Sequence, residues 1–345
     1  MNEELRDYWT FFIGEAERLH APLYARLAEG VSTHAELREM ADRHRPGQPP
    51  ATMLFGAVHF HLLRGADHPL RRFYPNLNGG HSVDGEDPFP AFVDFVETRR
   101  EAIADLVQSR VTNTNEVGRS AALHAGFRVL AKDAGEPLHL VEIGPSAGLN
   151  LIWDRYKIAY VAGARAFETD ASNAQLTIPC EMRGEHVPPL GPAPRVASRV
   201  GLELNPVDLE DAGVRDWLKA LVWPDHKARF DRLAKAIEIR RREKAEILAG
   251  DALSLLPDVL ARVPPRETVC VYHSMVTYQF GHALRQSFDD LLTAAGVRRP
   301  VWRLSLEWAG DNKYPLRLTR YHDGIKTEKV LALCDPHGAW IEWSA

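Results

Sequence analysis

Cysteine is scarce: the 345-residue chain has three, and Cys180, Cys270 and Cys334 lie far apart with no Cys-x-x-Cys pair among them. That excludes a disulfide framework and a zinc knuckle, and it fits a reducing compartment. Long apolar runs are also missing. No stretch approaches the roughly 18 uncharged apolar residues that a membrane-spanning helix requires. The first residues, MNEELRDYWTFF, lack the basic flank and apolar segment of a secretory leader, so a cytoplasmic protein is expected. Nor is there an excess of positive charge. The 42 Lys and Arg against 47 Asp and Glu leave a net charge of −5, which disfavours general binding to a nucleic-acid backbone. The histidines are scattered and make no metal set. His59 and His61 stand two apart in an expected helix and therefore point to different faces. No internal repeat or low-complexity tract is present.

What the chain does have is a normal core composition, 45% hydrophobic and 26% charged, at a length that suggests two domains. Up to about residue 135 the apolar residues recur at helical spacing. Tyr8, Trp9, Phe12, Ala16 and Leu19 form one stripe, which Leu23, Leu27 and Val31 extend. Ser32 and Glu36 suggest a capping box. Thr52–Leu63, Phe92–Arg110 and Val117–Lys132 read as further helices. From residue 136 to 345 strands alternate with helices, the pattern of a mostly parallel sheet covered on both faces. The strands are Leu138–Ile143, Val200–Leu204, Glu246–Gly250, Thr268–His273 and Val301–Trp308. Helices are expected at Leu149–Tyr156, Val214–Arg242, Leu253–Val263 and His282–Ala295. Pro315–Tyr321, Lys326–Cys334 and Ala339–Trp343 follow without helices and form an antiparallel C-terminal edge. The fold class is thus a Rossmann-like α/β domain preceded by an all-α N-terminal domain, with an inserted hairpin or lid at about 158–197.

The segment Val141-Glu-Ile-Gly-Pro-Ser-Ala-Gly-Leu-Asn150 lies where the first strand ends. Gly144 would permit the turn, Gly148 a close backbone approach to a ligand, and a helix N-terminus beyond would offer free N–H groups. Glu142 could accept a hydrogen bond from a ligand, and Ser146 and Asn150 border the same loop. A tight turn with glycine for packing alone is the competing reading. The loop also matches Gly-x-Ser-x-Gly, the nucleophile elbow of α/β-hydrolases. The helical upstream half and Pro145 oppose a Ser146 nucleophile, because that fold places several strands before its elbow and proline restricts the turn.

Other strand ends supply further candidates. Glu203 closes the second parallel strand and suits a ribose, with Asp208 as competing acid. Asp251 follows the third and suits an adenine ring, or else caps the next helix. His273, at the end of the fourth, is the best general-base candidate, with Ser274, Tyr278 and Gln279 beside it. Glu307 and Trp308 end the fifth. Upstream, Asn115, Glu116 and Arg119 form a polar run that could clamp a ligand carboxylate or cap a helix, with Thr114 or Asn115 as cap.

The acidic-x-Gly-x-x-x-Gly form of the loop resembles the first motif of class I S-adenosylmethionine-dependent methyltransferases. Thr114-Asn-Glu-Val-Gly-Arg119, Val141–Asn150, Gly201–Asp208 and His273-Ser274, with Phe73-Tyr-Pro75 and Asp87-Pro-Phe-Pro90, together resemble a bacterial family of uncharacterised proteins. That family joins a helical N-terminal region to a methyltransferase-like domain. The resemblance implies S-adenosylmethionine as cofactor and methyl transfer to an unnamed small-molecule or other acceptor, with His273 and Tyr278 nearest the reaction. A non-catalytic ligand-binding or scaffold protein, and a serine hydrolase acting through Ser146, are the alternatives.

Overall fold

A computed structural model describes residues 3–79, 83, 85–113, 115–171 and 173–344. Six helices open the chain: α1 (Glu3–Arg18), α2 (Pro22–Thr33), α3 (Ala35–Ala41), α4 (Pro50–Leu63), α5 (Phe89–Thr98) and α6 (Arg100–Ser109). Helix α7 (Ser120–Ala134) then leads into β1 (Leu138–Ile143). Four strands follow, β2 (Tyr156–Ala162), β3 (Arg165–Glu168), β4 (Leu176–Arg183) and β5 (Val196–Glu203). After α8 (Ala212–Ala220) and α9 (Lys227–Arg242) come β6 (Glu246–Ala249), α10 (Ala252–Ala261), β7 (Thr268–Ser274) and α11 (His282–Gly296). Strands β8 (Val301–Leu306), β9 (Pro315–His322), β10 (Ile325–Cys334) and β11 (Trp340–Trp343) end the chain.

The chain divides into two compact units, one of Met1–Thr114 with Leu209–Ala234, the other of Asn115–Asp208 with Lys235–Ala345. Helix α7 therefore belongs with the sheet, and the stretch around α8 returns to the helical unit.

In the helical unit the expected stripes are buried: Trp9, Phe12 and Ala16 on α1, Leu23, Leu27 and Val31 on α2. Helix α4 is apolar all round because it is buried all round, as a central helix must be. Three local expectations change. His34, not Ser32, caps α3 by accepting from the Leu37 amide. The expected helix Phe92–Arg110 breaks at Arg99. The expected helix Val214–Arg242 breaks between α8 and α9, where Pro224 has no N–H to donate and its ring disfavours helical backbone at Trp223.

In the second unit all eleven strands form one sheet, in the order β3-β2-β4-β11-β10-β9-β8-β7-β1-β5-β6. Strands β6, β5, β1, β7 and β8 run parallel, and β1 is buried along its whole length, which explains its unbroken apolar look. Strands β9, β10 and β11 follow antiparallel. The insertion expected near 158–197 is more sheet: β4 pairs in parallel with β11 and β2, and β3 folds back on β2. Among the described residues, no helix is long and apolar enough to cross a membrane, and no cluster of His, Cys, Asp and Glu could hold a metal.

Candidate ligand-binding site at the glycine loop

Strand β1 pairs with β5 on one side and β7 on the other, so its carboxyl end is the point where the strand order reverses. Ligands of open parallel sheets settle outside such points. The loop there is strongly bent. Gly144, Ser146 and Gly148 all have positive φ, at 64°, 52° and 71°, a region that glycine enters freely and serine seldom does. A Cβ on Gly144 would lie 2.9 Å from a Val276 methyl, and one on Gly148 would lie 3.1 Å from Arg240, Ile247 and Leu151. Both glycines thus admit the protein's own side chains at close range, which gives weight to the packing reading. A second glycine requirement comes from β5, where a Cβ on Gly201 would lie 2.6 Å from the Pro145 ring.

The helix expected at Leu149–Tyr156 is not there. Asn150–Arg155 is a kinked 3-10 turn, with Ile152 out of helical conformation, and Tyr156 already begins β2. The loop therefore offers no helix N-terminus to an anion. Its amides are held by the protein instead. The Ser146 amide donates to Glu203 Oε2 at 2.8 Å, and the Ala147 amide to Asn115 Oδ1 at 3.0 Å. Asn115 Nδ2 in turn donates to Ser146 Oγ at 3.0 Å.

Asn115 begins a segment that ties three loops together. The Glu116 carboxylate accepts from the Gly118 amide at 3.0 Å. Arg119, buried, donates from Nε to the Pro336 carbonyl at 2.8 Å and from Nη1 to the Ser274 carbonyl at 3.1 Å. Ser120 donates to Asn150 Oδ1 at 2.8 Å. The run expected to clamp a ligand carboxylate clamps the loops after β1, β7 and β10. Thr114, its other expected cap, lies outside the described residues.

The carboxylates differ in environment. Glu142 is 3% exposed, and Oε2 accepts from the Tyr272 hydroxyl at 3.0 Å. Burial, reinforced by the nearby Glu203 charge, pushes its carboxyl up to about 8, against the Tyr272 hydrogen bond and the Arg119 and Arg240 charges. Glu142 is thus an enclosed acid that burial keeps protonated at neutral pH. Tyr272 escaped the sequence reading. Its one signal was a phenol beside His273 on the fourth parallel strand. Glu203 is half-buried, and besides the Ser146 amide it accepts from the Asn205 amide at 3.0 Å, leaving each oxygen a further acceptor direction. Asp251 is exposed and caps α10, its Oδ1 accepting from the Ser254 amide and hydroxyl, both at 2.8 Å. Replacing Asp251 with Ala should lower stability by about 1 kcal/mol through the lost cap, read by chemical denaturation.

His273 is not poised as a base. It is fully buried, its Nδ1 lies 2.6 Å from Glu307 Oε1, and its Nε2 accepts from Arg303 Nε at 2.9 Å. Because Arg303 can only donate, the ring proton sits on Nδ1 and points to Glu307. Burial and the Arg303 charge lower its affinity for a second proton. Glu307 also accepts from the Val276, Thr277 and Tyr278 amides, so it pins the turn after β7, where Met275 has a φ of 57°. The Tyr278 side chain is 47% exposed.

These features define an α/β protein with a parallel-sheet carboxyl edge, a braced glycine loop and acids at the ends of the next two strands. A family profile described as an uncharacterized protein conserved in bacteria (DUF2332) matches residues 10–343, and the chain belongs to that family. No curated protein matched the chain.

Proposed function

We propose that the α/β unit binds S-adenosylmethionine and that the protein is a methyltransferase. The observation that carries this reading is the strand order β6-β5-β1-β7-β8 with acids after the carboxyl ends of β5 and β6, Glu203 and Asp251, on one side of the bent glycine loop. Glu203, with unused acceptor directions, suits a ribose diol. Asp251 suits an adenine amine beside Ala252. The residues fit such a ligand on the β5–β6 side of the loop. They fit it less on the β7 side, where the Val276 side chain stands against Gly144. When bound, the sulfonium supplies an electrophilic methyl group, whose transfer needs an aligned acceptor more than a strong base. With His273 enclosed, the chain's part in the reaction is positioning. Tyr278, exposed at the end of β7, is the side chain left to meet an acceptor.

Calorimetry on the full chain tests this. S-adenosylmethionine or its demethylated product should bind with a dissociation constant below about 1 mM. Gly144→Val should abolish binding, since Val276 already occupies the space and the backbone has positive φ. Asp251→Asn, which keeps a cap acceptor, should weaken binding about five- to tenfold without unfolding the protein. A folded protein that takes up neither compound at millimolar concentration sinks the proposal.

Ser146 favours a second reading by one feature, its left-handed backbone at a strand end. Its hydroxyl is bonded to Asn115, and no imidazole is bonded to it among the described residues. A fluorophosphonate probe should therefore leave Ser146 unlabelled. Labelling that disappears in Ser146→Ala would establish the hydrolase.

A further inference from the structure

The amino end of the parallel strands, the end away from the glycine loop, carries a serine, a histidine and a glutamate in one line. His139 is the second residue of β1, Ser198 lies on β5, and Glu267 immediately precedes β7. Strands β5 and β7 are the two that flank β1. His139 Nδ1 lies 2.7 Å from Ser198 Oγ, and its Nε2 bonds Glu267 Oε2. A carboxylate can only accept, so the ring proton sits on Nε2, and Nδ1 is left to accept the hydroxyl proton of Ser198. A hydroxyl turned onto an imidazole whose other nitrogen is held by a carboxylate is the arrangement that makes an alcohol nucleophilic. His273 lacks it, because its second nitrogen is taken by the Arg303 guanidinium.

The strands are shaped to form this line. Between β1 and β5, Leu138 pairs with Val196 but His139 with Ser198, so Ala197 is an extra residue. In a regular ladder His139 would stand beside Ala197, and Ser198 would point to the other face of the sheet. Such bulges re-aim side chains and are frequent next to active sites. On the third strand, the Glu267 amide donates to the Pro264 carbonyl at 3.0 Å, which fixes the acid ahead of β7. His139 is buried. Alternation along β1 sets it on the face of Val141 and Ile143, which pack in the apolar core with residues of α10 and α11. Ser198 and Glu267 are half-buried, and Arg195 and Ala197 are exposed, so the line reaches solvent at the serine and at the acid. Strand β6 meets β5 only from Val200 onward. Among the described residues, no strand therefore adjoins β5 on that side at Ser198.

We propose that Ser198, His139 and Glu267 form a second catalytic centre, which hydrolyses a small carboxylic ester by acyl transfer through Ser198. Ser198 Oγ bonds the ester carbonyl carbon, and its proton passes to His139 Nδ1. The bond from that carbon to the alkoxy oxygen then breaks, and the alcohol leaves with the proton from His139. Water next gives a proton to His139 and its hydroxyl to the acyl carbon. The Ser198 Oγ–C bond breaks as His139 returns the proton to Oγ, and the carboxylic acid departs. Backbone N–H groups on the open side of β5 are the donors for the oxygen that carries charge between these steps. Glu267 is a positioning residue that holds the Nε2 proton throughout. An ester suits the centre better than an amide, because an alcohol is the easier leaving group for a single imidazole to protonate. The centre is independent of the reading of the glycine loop, which lies at the other end of the strands.

The test is treatment of the full chain with a fluorophosphonate probe, with mass spectrometry of the labelled peptide and p-nitrophenyl acetate turnover as a second readout. The label should sit on Ser198, its Oγ bonding phosphorus as fluoride leaves. Ser198→Ala should abolish the label and the burst of p-nitrophenolate with no change in melting temperature. His139→Gln should slow labelling at least about 100-fold. Glu267→Gln should slow it about tenfold or more at an unchanged melting temperature, and Glu267→Asp should recover part of the rate. A network that serves stability alone would leave the serine of the folded parent protein unlabelled, and that result overturns the proposal. So does a label found on another serine, or a folded His139→Gln protein labelled as fast as the parent.

Discussion

Glu142→Gln should make the protein more stable at pH 8.5 by on the order of 3 kcal/mol and change it little at pH 5. The reason is the enclosed site of Glu142, between Tyr272 and the loop, where burial raises its carboxyl from 4.5 to about 8. In the unfolded chain the group is ionised above about pH 4.5. In the folded chain it keeps its proton until about pH 8. Folding therefore takes up a proton across that window, and stability falls as pH rises through it. Above about pH 8 the folded protein carries the full cost of a charge with little solvation. Glutamine has the same shape, accepts from Tyr272 in the same way and never ionises, so it removes the cost without removing the hydrogen bond. Urea denaturation of both proteins at pH 5 and 8.5 reads the effect. Equal stabilities at both values would mean that water reaches Glu142. The same variant bears on function, because a carboxyl that must bind a ligand amine would lose affinity as glutamine.

The parallel core of the fold was legible in the sequence because each of its strands is a short apolar run bounded by clear breakers. β1 was read at its true ends. The inserted strands were harder: β3 is mostly exposed and β4 is exposed at every second residue, and an exposed strand has little hydrophobic signal. The expected helix at Leu149–Tyr156 failed for the opposite reason. Leu149, Leu151, Ile152 and Trp153 are all buried, and apolar residues on every side fit a buried helix and a buried turn equally. The segment's brevity, with β2 beginning at Tyr156, is what decides between them.

The candidate site was legible in its residues and less so in their roles. Asn115, Arg119, Gly144, Ser146 and Glu203 do come together. What sequence cannot convey is whom they serve. Arg119 reads as a carboxylate clamp, yet two carbonyls, 217 and 155 residues away along the chain, are among its partners. A guanidinium answers a ligand oxygen and a backbone oxygen alike. His273 shows the same limit: Arg303 and Glu307 decide its proton, and both come from the neighbouring strand region, thirty and thirty-four residues on.

Gly118→Ala should lower stability by about 2–4 kcal/mol and the melting temperature by roughly 5–10 °C. Gly118 stands where the Asn115–Arg119 segment crosses the turn between β10 and β11. A methyl group there would overlap the His337 carbonyl oxygen, and Gly338, at a φ of 76°, faces Gly118 from the other side with no room for a side chain either. Two backbones meet directly, so no rotamer change can relieve the overlap. The turn must move, and moving it pulls the Pro336 carbonyl away from Arg119, which leaves a buried guanidinium nitrogen short of a partner. Arg119 also holds the Ser274 carbonyl, and Asn115 holds the glycine loop, so the disturbance reaches the proposed ligand site. Affinity for S-adenosylmethionine should therefore fall in Gly118→Ala by more than in a variant of equal melting temperature altered elsewhere. Gly14→Ala on α1 is the control: open space surrounds it, and alanine favours a helix by up to about 1 kcal/mol over glycine. Thermal melts of the two variants side by side should move in opposite directions. A Gly118→Ala protein as stable as the parent would show that the segment yields, and the coupling of the three loops through it would fail with that result.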